Sequence, residues 1–248
     1  MELTPRHSDG DAGAILPAAP DAQSQALSAW SEDHLTAAQL RWMENEVSVL
    51  RRVVAKCTRD KGQAPVMYDV GCGIPARLFR DDELGSVIDS VQAYVGIDNE
   101  PATIEEARLL YGQRGRFLDP MDYHEALSAV EGGRAELIIC LGNTLGTLPG
   151  DRTAHVKFMG QHADTLLISV VRKGPDVLRE RIAYYEKNGI NCQINWDTNI
   201  IHSDVWGDSL AFGEGEFAQF SAALREAGMT RVSLHASDPL GTVLVAQR

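Results

Sequence analysis

Apolar residues recur at spacings of three and four between Glu32 and Cys57, at Leu35, Leu40, Met43, Val47, Leu50, Val53 and Val54. That period predicts an amphipathic helix, broken early, with its apolar stripe turned to a core. From Ala64 the pattern changes to short apolar runs, "PVMYDV", "AYVGID", "GRFLD", "ELIICLG" and "TLLISVV". Helix-like runs follow them at 77–91, 101–111, 122–130, 152–162 and 176–187. Apolar strands alternating with helices predict parallel strands joined by crossovers. Right-handed crossovers then give a doubly wound sheet.

After Lys187 the texture shifts. "INCQINWDTNIIHSDVWG" mixes Ile, Trp, Asn and Asp, and reads as an inserted strand or loop near 188–210. A helix over 214–227 ends at Gly228, where a left-handed cap is expected. Two strands, "RVSLHAS" and "GTVLVAQ", close the chain around the turn "DPLG" and suit an antiparallel pair. The expected fold class is α/β: a doubly wound, mostly parallel seven-stranded sheet, helices on both faces, and an antiparallel last strand. Residues 1–28, rich in Ala, Asp, Pro, Ser and Gln, read as a flexible tail. Residues 29–60 form a packing segment or, through Trp30, Trp42 and Met43, a lid. Residues 61–248 form the main domain.

The composition narrows the function. The 248 residues are 44% apolar, which is enough for a sizeable core. A formal charge of −12 opposes nucleic-acid phosphates, so no nucleic-acid partner is expected. No apolar run of membrane length and no secretory leader are read in the sequence. The four scattered cysteines, Cys57, Cys72, Cys140 and Cys192, suit reduced thiols in the cytoplasm and no metal site. A homodimer is allowed.

The chemistry centres on "MYDVGCGIPARLF", 67–79. Gly71-Cys72-Gly73-Ile74-Pro75-Ala76 fits the loose form G-x-G-x-x-A after a strand, where nucleotide-type ligands approach the backbone closely. Asp69, two residues before Gly71, would repel a pyrophosphate and attract an ammonium. Pro75 removes an N–H from the helix start that a phosphate cradle would use. Asp98, ending the second strand in "YVGIDNEP", can accept both hydroxyls of a ribose. The pair of acids therefore points to S-adenosylmethionine rather than to a dinucleotide.

"YDVGCGIPARL" with "YVGIDNEP" resembles the class I S-adenosylmethionine-dependent methyltransferases, over roughly residues 64–248. Pro75 departs from the acid-x-Gly-x-Gly-x-Gly pattern usual there. The resemblance implies a Rossmann-like fold, with Asp69, Gly71, Cys72 and Gly73 at the methionine end and Asp98 on the ribose. It puts Asn99 beside the adenine, Asp119 on the adenine amino group, and Pro120 and Met121 against the ring. "IICLGNTLGTLP" is similar to the "CLGNS" run of glycine and related amino acid N-methyltransferases. Leu141 and Gly142 would then border the cofactor, and Asn143 and Thr144 would lie near the transferred methyl.

Acceptor candidates come from "RIAYYEKNGI" and "WDTNIIHSDVWG". Arg181, Tyr185 and Trp206, with Trp42, Asn143 and Thr144, are expected to bind the substrate. His202, Asn143 and Tyr184 are the candidate catalytic residues, His202 as the base. Adjacent tyrosines on a helix are not expected both to face inward. Asp197, Asn199 and Asp204 are further polar candidates in the insertion. The expected reaction is methyl transfer to a nitrogen of an amino acid or derived metabolite. Oxygen or carbon methylation is the alternative within the class, and a nicotinamide-dependent oxidoreductase the alternative outside it.

Overall fold

The computed structural model describes residues 32–236 and 239–248. The expected tail at 1–28, Trp30, and residues 237–238 of the closing turn lie outside the described residues. The first helix, α1 (Ala37–Lys61), follows a single 3-10 turn at Glu32–His34, so the helix is indeed broken early. Thr36 caps it: its hydroxyl accepts from Gln39 N while the Gln39 side chain accepts from Thr36 N. Gly62, left-handed at φ 74°, ends it.

The main sheet contains β1 (Val66–Val70), β2 (Ala93–Ile97), β3 (Arg116–Phe117), β4 (Ala135–Cys140), β5 (Ala163–Val171), β9 (Arg231–Ala236) and β10 (Gly241–Gln247). Their spatial order is β3-β2-β1-β4-β5-β10-β9. The first five run parallel; β10 is antiparallel to both β5 and β9. The chain steps outward from β1 through β2 to β3, then returns to lay β4 on the other side of β1. That reversal leaves a crevice at the carboxyl ends of β1 and β4.

Alternation along the buried strands fills two cores. On β4, Ile138 and Cys140 join one face, and Leu137 and Ile139 the other. The first face is covered by α6 (Arg152–Gln161) and α8 (Glu214–Glu226) through Val156, Met159, Phe217, Phe220 and Leu224. The second is covered by α1 through Val49, Leu50, Val53 and Val54, and by α3 (Pro101–Tyr111) through Ile104 and Ala107. Each such buried Val, Leu, Ile, Phe or Met side chain contributes about 1.5–3 kcal/mol of transfer free energy.

Three sequence expectations are corrected. The helix foreseen over 77–91 is a single turn, α2 (Ala76–Phe79), followed by loop and a 3-10 turn at Ile88–Ser90. Arg51 of α1 explains the loop: its guanidinium donates to Asp82 Oδ2, Leu84 O and Gly85 O, and tertiary bonds replace the helical ladder. The strand foreseen in "GRFLD" has two residues. The insertion is neither one strand nor a loop but a separate three-stranded antiparallel sheet of β6 (Cys192–Asn195), β7 (Ile200–Ser203) and β8 (Gly207–Ser209). It stands beside α7 (Pro175–Lys187), the helix that leaves β5. The short helices α4 (Tyr123–Ser128) and α5 (Thr144–Thr147) complete the chain.

Candidate functional site

The crevice opens into a cavity of about 750 Å³. One side is built by the ends of β1, β2 and β4: Asp69, the 71–78 loop, Asp98 and Asn99, and Leu141 and Gly142. The opposite side comes from Gln39, Trp42 and Met43 of α1, Arg181, Tyr184 and Tyr185 of α7, and Val205, Trp206 and Ser209 of the insertion. Asn143 and Thr144 lie between the two.

Parallel pairing of β1 with β2 sets Asp69 opposite Gly96, and the loop after Asp69 meets the end of β2. Cys72 N donates to Ile97 O, and Gly73 N donates to Asp98 Oδ2 at 3.0 Å. Asp98 Oδ1 accepts from Glu100 N, which fixes the carboxylate at the start of α3. Gly71 is left-handed at φ 64°, and a Cβ there would lie 2.3 Å from Thr144 Cγ2. The first glycine thus answers both to the turn and to Thr144, which presses against it from the β4 side. Thr144 Oγ1 donates to Leu141 O, which holds the hydroxyl on the same wall.

Asp69 is 3% exposed and accepts from the Tyr94 hydroxyl at 2.9 Å. Burial pushes its carboxyl up to about 7, with Tyr94 and the nearby Arg77 pulling the other way. A desolvated carboxylate facing a cavity is stabilised by any cation that enters. The helix after the loop offers little to a phosphate. Pro75 has no N–H, Ala76 N already donates to Ile74 O, and α2 is one turn long.

Beside Asp69, Arg77 lines the cavity and lies 2.9 Å from Glu46 Oε2. Glu46 is wholly buried, and its Oε1 accepts from Gly142 N at 3.0 Å. This pair escaped the sequence reading. The readable signal was an acid within the apolar face of a helix, one turn after Trp42 and three residues before Val49.

On the α7 side the adjacent tyrosines are both buried and both line the cavity, against expectation. The insertion folds over the helix there, so Trp206 stacks on Tyr184 at 6.0 Å and meets Tyr185 edge-on at 5.7 Å. Burial raises both phenols above their ordinary pKa. Trp42 is 2% exposed and donates to Ser169 Oγ at 3.1 Å. Its indole occupies the space a Cβ on Gly241 would need, 2.0 Å from Nε1.

Other candidates are placed elsewhere. His202 is not among the residues lining the cavity: strand alternation on β7 turns Ile201 and Ser203 inward and His202 to solvent, beside Asp208 at 2.8 Å. Asn143 lines the cavity, but its amide is committed. Oδ1 accepts from Val171 N, and Nδ2 donates to Leu210 O and Ser209 Oγ. With φ at 65° it is a left-handed turn former tying β4 to β5 and β8. Asp119 is exposed and paired with Arg108 at 2.7 Å; it, Pro120 and Met121 are not among the cavity-lining residues. Met121 instead packs on the main core. Leu145, next in this turn, is fully buried in that core. Asn199 accepts from Gly174 N, while Asp197 and Asp204 are exposed.

No family profile and no curated protein matches the sequence. Solved structures do match. Magnesium protoporphyrin IX methyltransferase from Synechocystis, with bound SAH, superposes with a TM-score of 0.56 at 17% identity, over 91% of this chain and 94% of that one. The sugar N-methyltransferase KedS8 from Streptoalloteichus has a TM-score of 0.56 at 17% identity, over 100% and 98%. DesVI from Streptomyces venezuelae gives 0.54 at 15%, over 85% and 93%.

The fold is that of the S-adenosylmethionine-dependent methyltransferases. In this methyltransferase fold the cavity lies at the switch point between β1 and β4, with Asp69 and Asp98 on its walls. The three-stranded insertion adds to it an aromatic side formed with α7. Among the described residues no helix is long and apolar enough to cross a membrane.

Proposed function

We propose that the protein transfers a methyl group from S-adenosylmethionine to a nitrogen of a small amino acid or amino-acid-derived molecule. The observation that carries this reading is the pairing of two carboxylates, Asp69 and Asp98, across one glycine turn on the wall of one cavity. Asp98 would accept the ribose hydroxyls, with Asn99 beside it toward the base. Asp69 would hold the ammonium, and Arg77, already paired with Glu46, would add positive charge on the carboxylate side of the same amino acid tail. The one-turn helix behind Pro75 disfavours a dinucleotide and with it the oxidoreductase alternative.

When bound, S-adenosylmethionine supplies an electrophilic methyl group. The chain's own residues position the acceptor. Trp42, Tyr184, Tyr185 and Trp206 give apolar surface that excludes water, and reaction then depends on holding the nucleophile about 3 Å from the methyl carbon. The titratable groups on this side, Arg181, Tyr184 and Tyr185, all hold their protons. They anchor the acceptor by donating hydrogen bonds to atoms other than its nucleophile, and the amine sheds its proton to bulk water before it enters. An amine, which attacks through its own lone pair once deprotonated, suits such a wall better than an alcohol does. KedS8, a sugar N-methyltransferase of the same fold, is consistent with nitrogen as acceptor.

The test is a turnover assay. S-adenosylmethionine is supplied with a panel of amino acids, amines and matched alcohols, and S-adenosylhomocysteine release is measured with product mass. Amine-dependent release with a mass gain of one methyl group is expected. Release with alcohols alone would overturn the choice of nitrogen.

A further inference from the structure

Among the described residues Arg181 is a buried cation without a counter-charge. It is 5% exposed and lines the cavity from α7. Its partners are neutral: Nη1 donates to Asn199 O at 2.9 Å, and Nη2 to Ser209 O at 2.6 Å and Ser209 Oγ at 3.1 Å. Among the described residues no carboxylate forms an ion pair with it. The chain has 35 acidic residues against 23 basic ones, so a partner was not scarce. Burying a charge is costly unless it is paired. Desolvation is severe enough to bring the guanidinium down to about 10. The cavity's other lining arginine, Arg77, already has Glu46.

We propose that the methyl acceptor carries a carboxylate, that Arg181 is its anchor, and that the rest of the acceptor lies on the Tyr184–Trp206 wall. The claim rests on the methyl-acceptor reading of this side of the cavity and deepens it by naming the charge of the substrate. A carboxylate fits better than a phosphate. Arg181 is the one charged group on this side of the described lining, and part of its donor set is taken by backbone carbonyls. A dianion would also stand in the same cavity as Asp69 and Asp98. The stacked pair Tyr184 and Trp206, at 13° between planes, offers a flat apolar wall to a planar or alkyl group. The resulting acceptor class is an amino-substituted carboxylic acid whose nitrogen reaches the Gly142–Thr144 turn while its carboxylate stays on α7.

The experiment uses the full chain loaded with S-adenosylhomocysteine. Four carboxylates, benzoate, phenylacetate, anthranilate and indole-3-acetate, are titrated beside their neutral carboxamides by calorimetry and ligand-observed NMR. At least one carboxylate is expected to bind about tenfold or more tighter than its carboxamide, as a charge-assisted contact implies. Arg181→Met should cut that ratio to about twofold or less, and Arg181→Lys, which keeps the charge, should retain part of it. Equal affinities within every pair, no binding by any carboxylate, or a ratio unchanged in Arg181→Met would overturn the proposal. The pairwise comparison in the unmutated chain stands even if Arg181→Met unfolds. Cofactor affinity in the same titrations separates the claims. Retained S-adenosylhomocysteine binding without carboxylate preference overturns the acceptor claim alone, whereas no cofactor binding removes the methyltransferase reading beneath it.

Discussion

Glu46 Oε2 lies 2.9 Å from Arg77 Nη1, and Glu46 is wholly buried. The acid comes from α1 and the base from the turn after the glycine loop, so the pair joins the N-terminal helix to the floor of the cavity. Glu46 Oε2 makes no aligned hydrogen bond, and charge is what draws the two together. The other oxygen accepts from Gly142 N. One side chain thus ties α1, the glycine loop and the end of β4 into a single wall.

Breaking that tie from one side leaves a charge uncompensated. Glu46→Ala is expected to cost about 3–5 kcal/mol, while the double variant Glu46→Met with Arg77→Met recovers most of it. Denaturant titration of Glu46→Met, Arg77→Met and their double variant beside the parent chain measures the coupling. A loss below about 1 kcal/mol for Glu46→Ala would show that the pair holds nothing.

Gly71→Ala places a methyl 2.3 Å from Thr144 Cγ2 at a left-handed φ. Backbone strain alone is about 1–2 kcal/mol, and the clash adds to it. Thr144→Ser removes the opposing methyl, so the double variant should regain part of the lost stability and cofactor affinity. Calorimetric affinities for S-adenosylhomocysteine across the four proteins give the answer; strictly additive losses would show that Thr144 is not the obstacle.

Asp69 sets a pH dependence. Its folded carboxyl is raised to about 7 from the ordinary 3.8, so the folded chain holds an extra proton between those values. Stability therefore falls as pH rises from about 4 to 7, the window in which the unfolded carboxylate is charged and the buried one resists charging. A bound ammonium favours the charged form, so cofactor affinity should rise with pH over about 5.5 to 7. In Asp69→Asn both slopes should flatten. Binding that is pH-independent in the parent chain would remove Asp69 from the ammonium site.

His202 gives the opposite expectation. Its ring sits in solvent beside Asp208, outside the cavity lining. His202→Ala should leave turnover within about twofold and stability within about 0.5 kcal/mol. A hundredfold loss of kcat would return the base role to this residue.

Periodicity and turn chemistry exposed most of the architecture. The apolar runs of β1, β2, β4 and β5 are largely buried, so their signal is strong and implies a doubly wound parallel sheet, whereas their spatial order came only from the pairing itself. The glycine loop and Asp98 were legible for the same reason: their spacing is local. The opposite wall of the cavity was not. Its residues are brought together by α7 and the β6–β8 sheet folding over it, and adjacent Tyr184 and Tyr185 both turn inward because Trp206 covers them. Strand parity on β7, invisible until β6 and β8 were paired with it, turned His202 outward. Glu46 hid within a stripe counted only for its apolar members, and the helix over 77–91 dissolved into contacts with Arg51 that no local pattern encodes.

Asp69 and Asp98, as proposed, frame a site for S-adenosylmethionine. Calorimetric titration of the parent chain and Asp98→Ala with S-adenosylhomocysteine tests it most directly. One site per chain is expected in the parent, and at least about tenfold weaker binding once the charge-assisted ribose contacts are lost. No binding by the parent chain at high micromolar concentration, or undiminished affinity in Asp98→Ala, would contradict it.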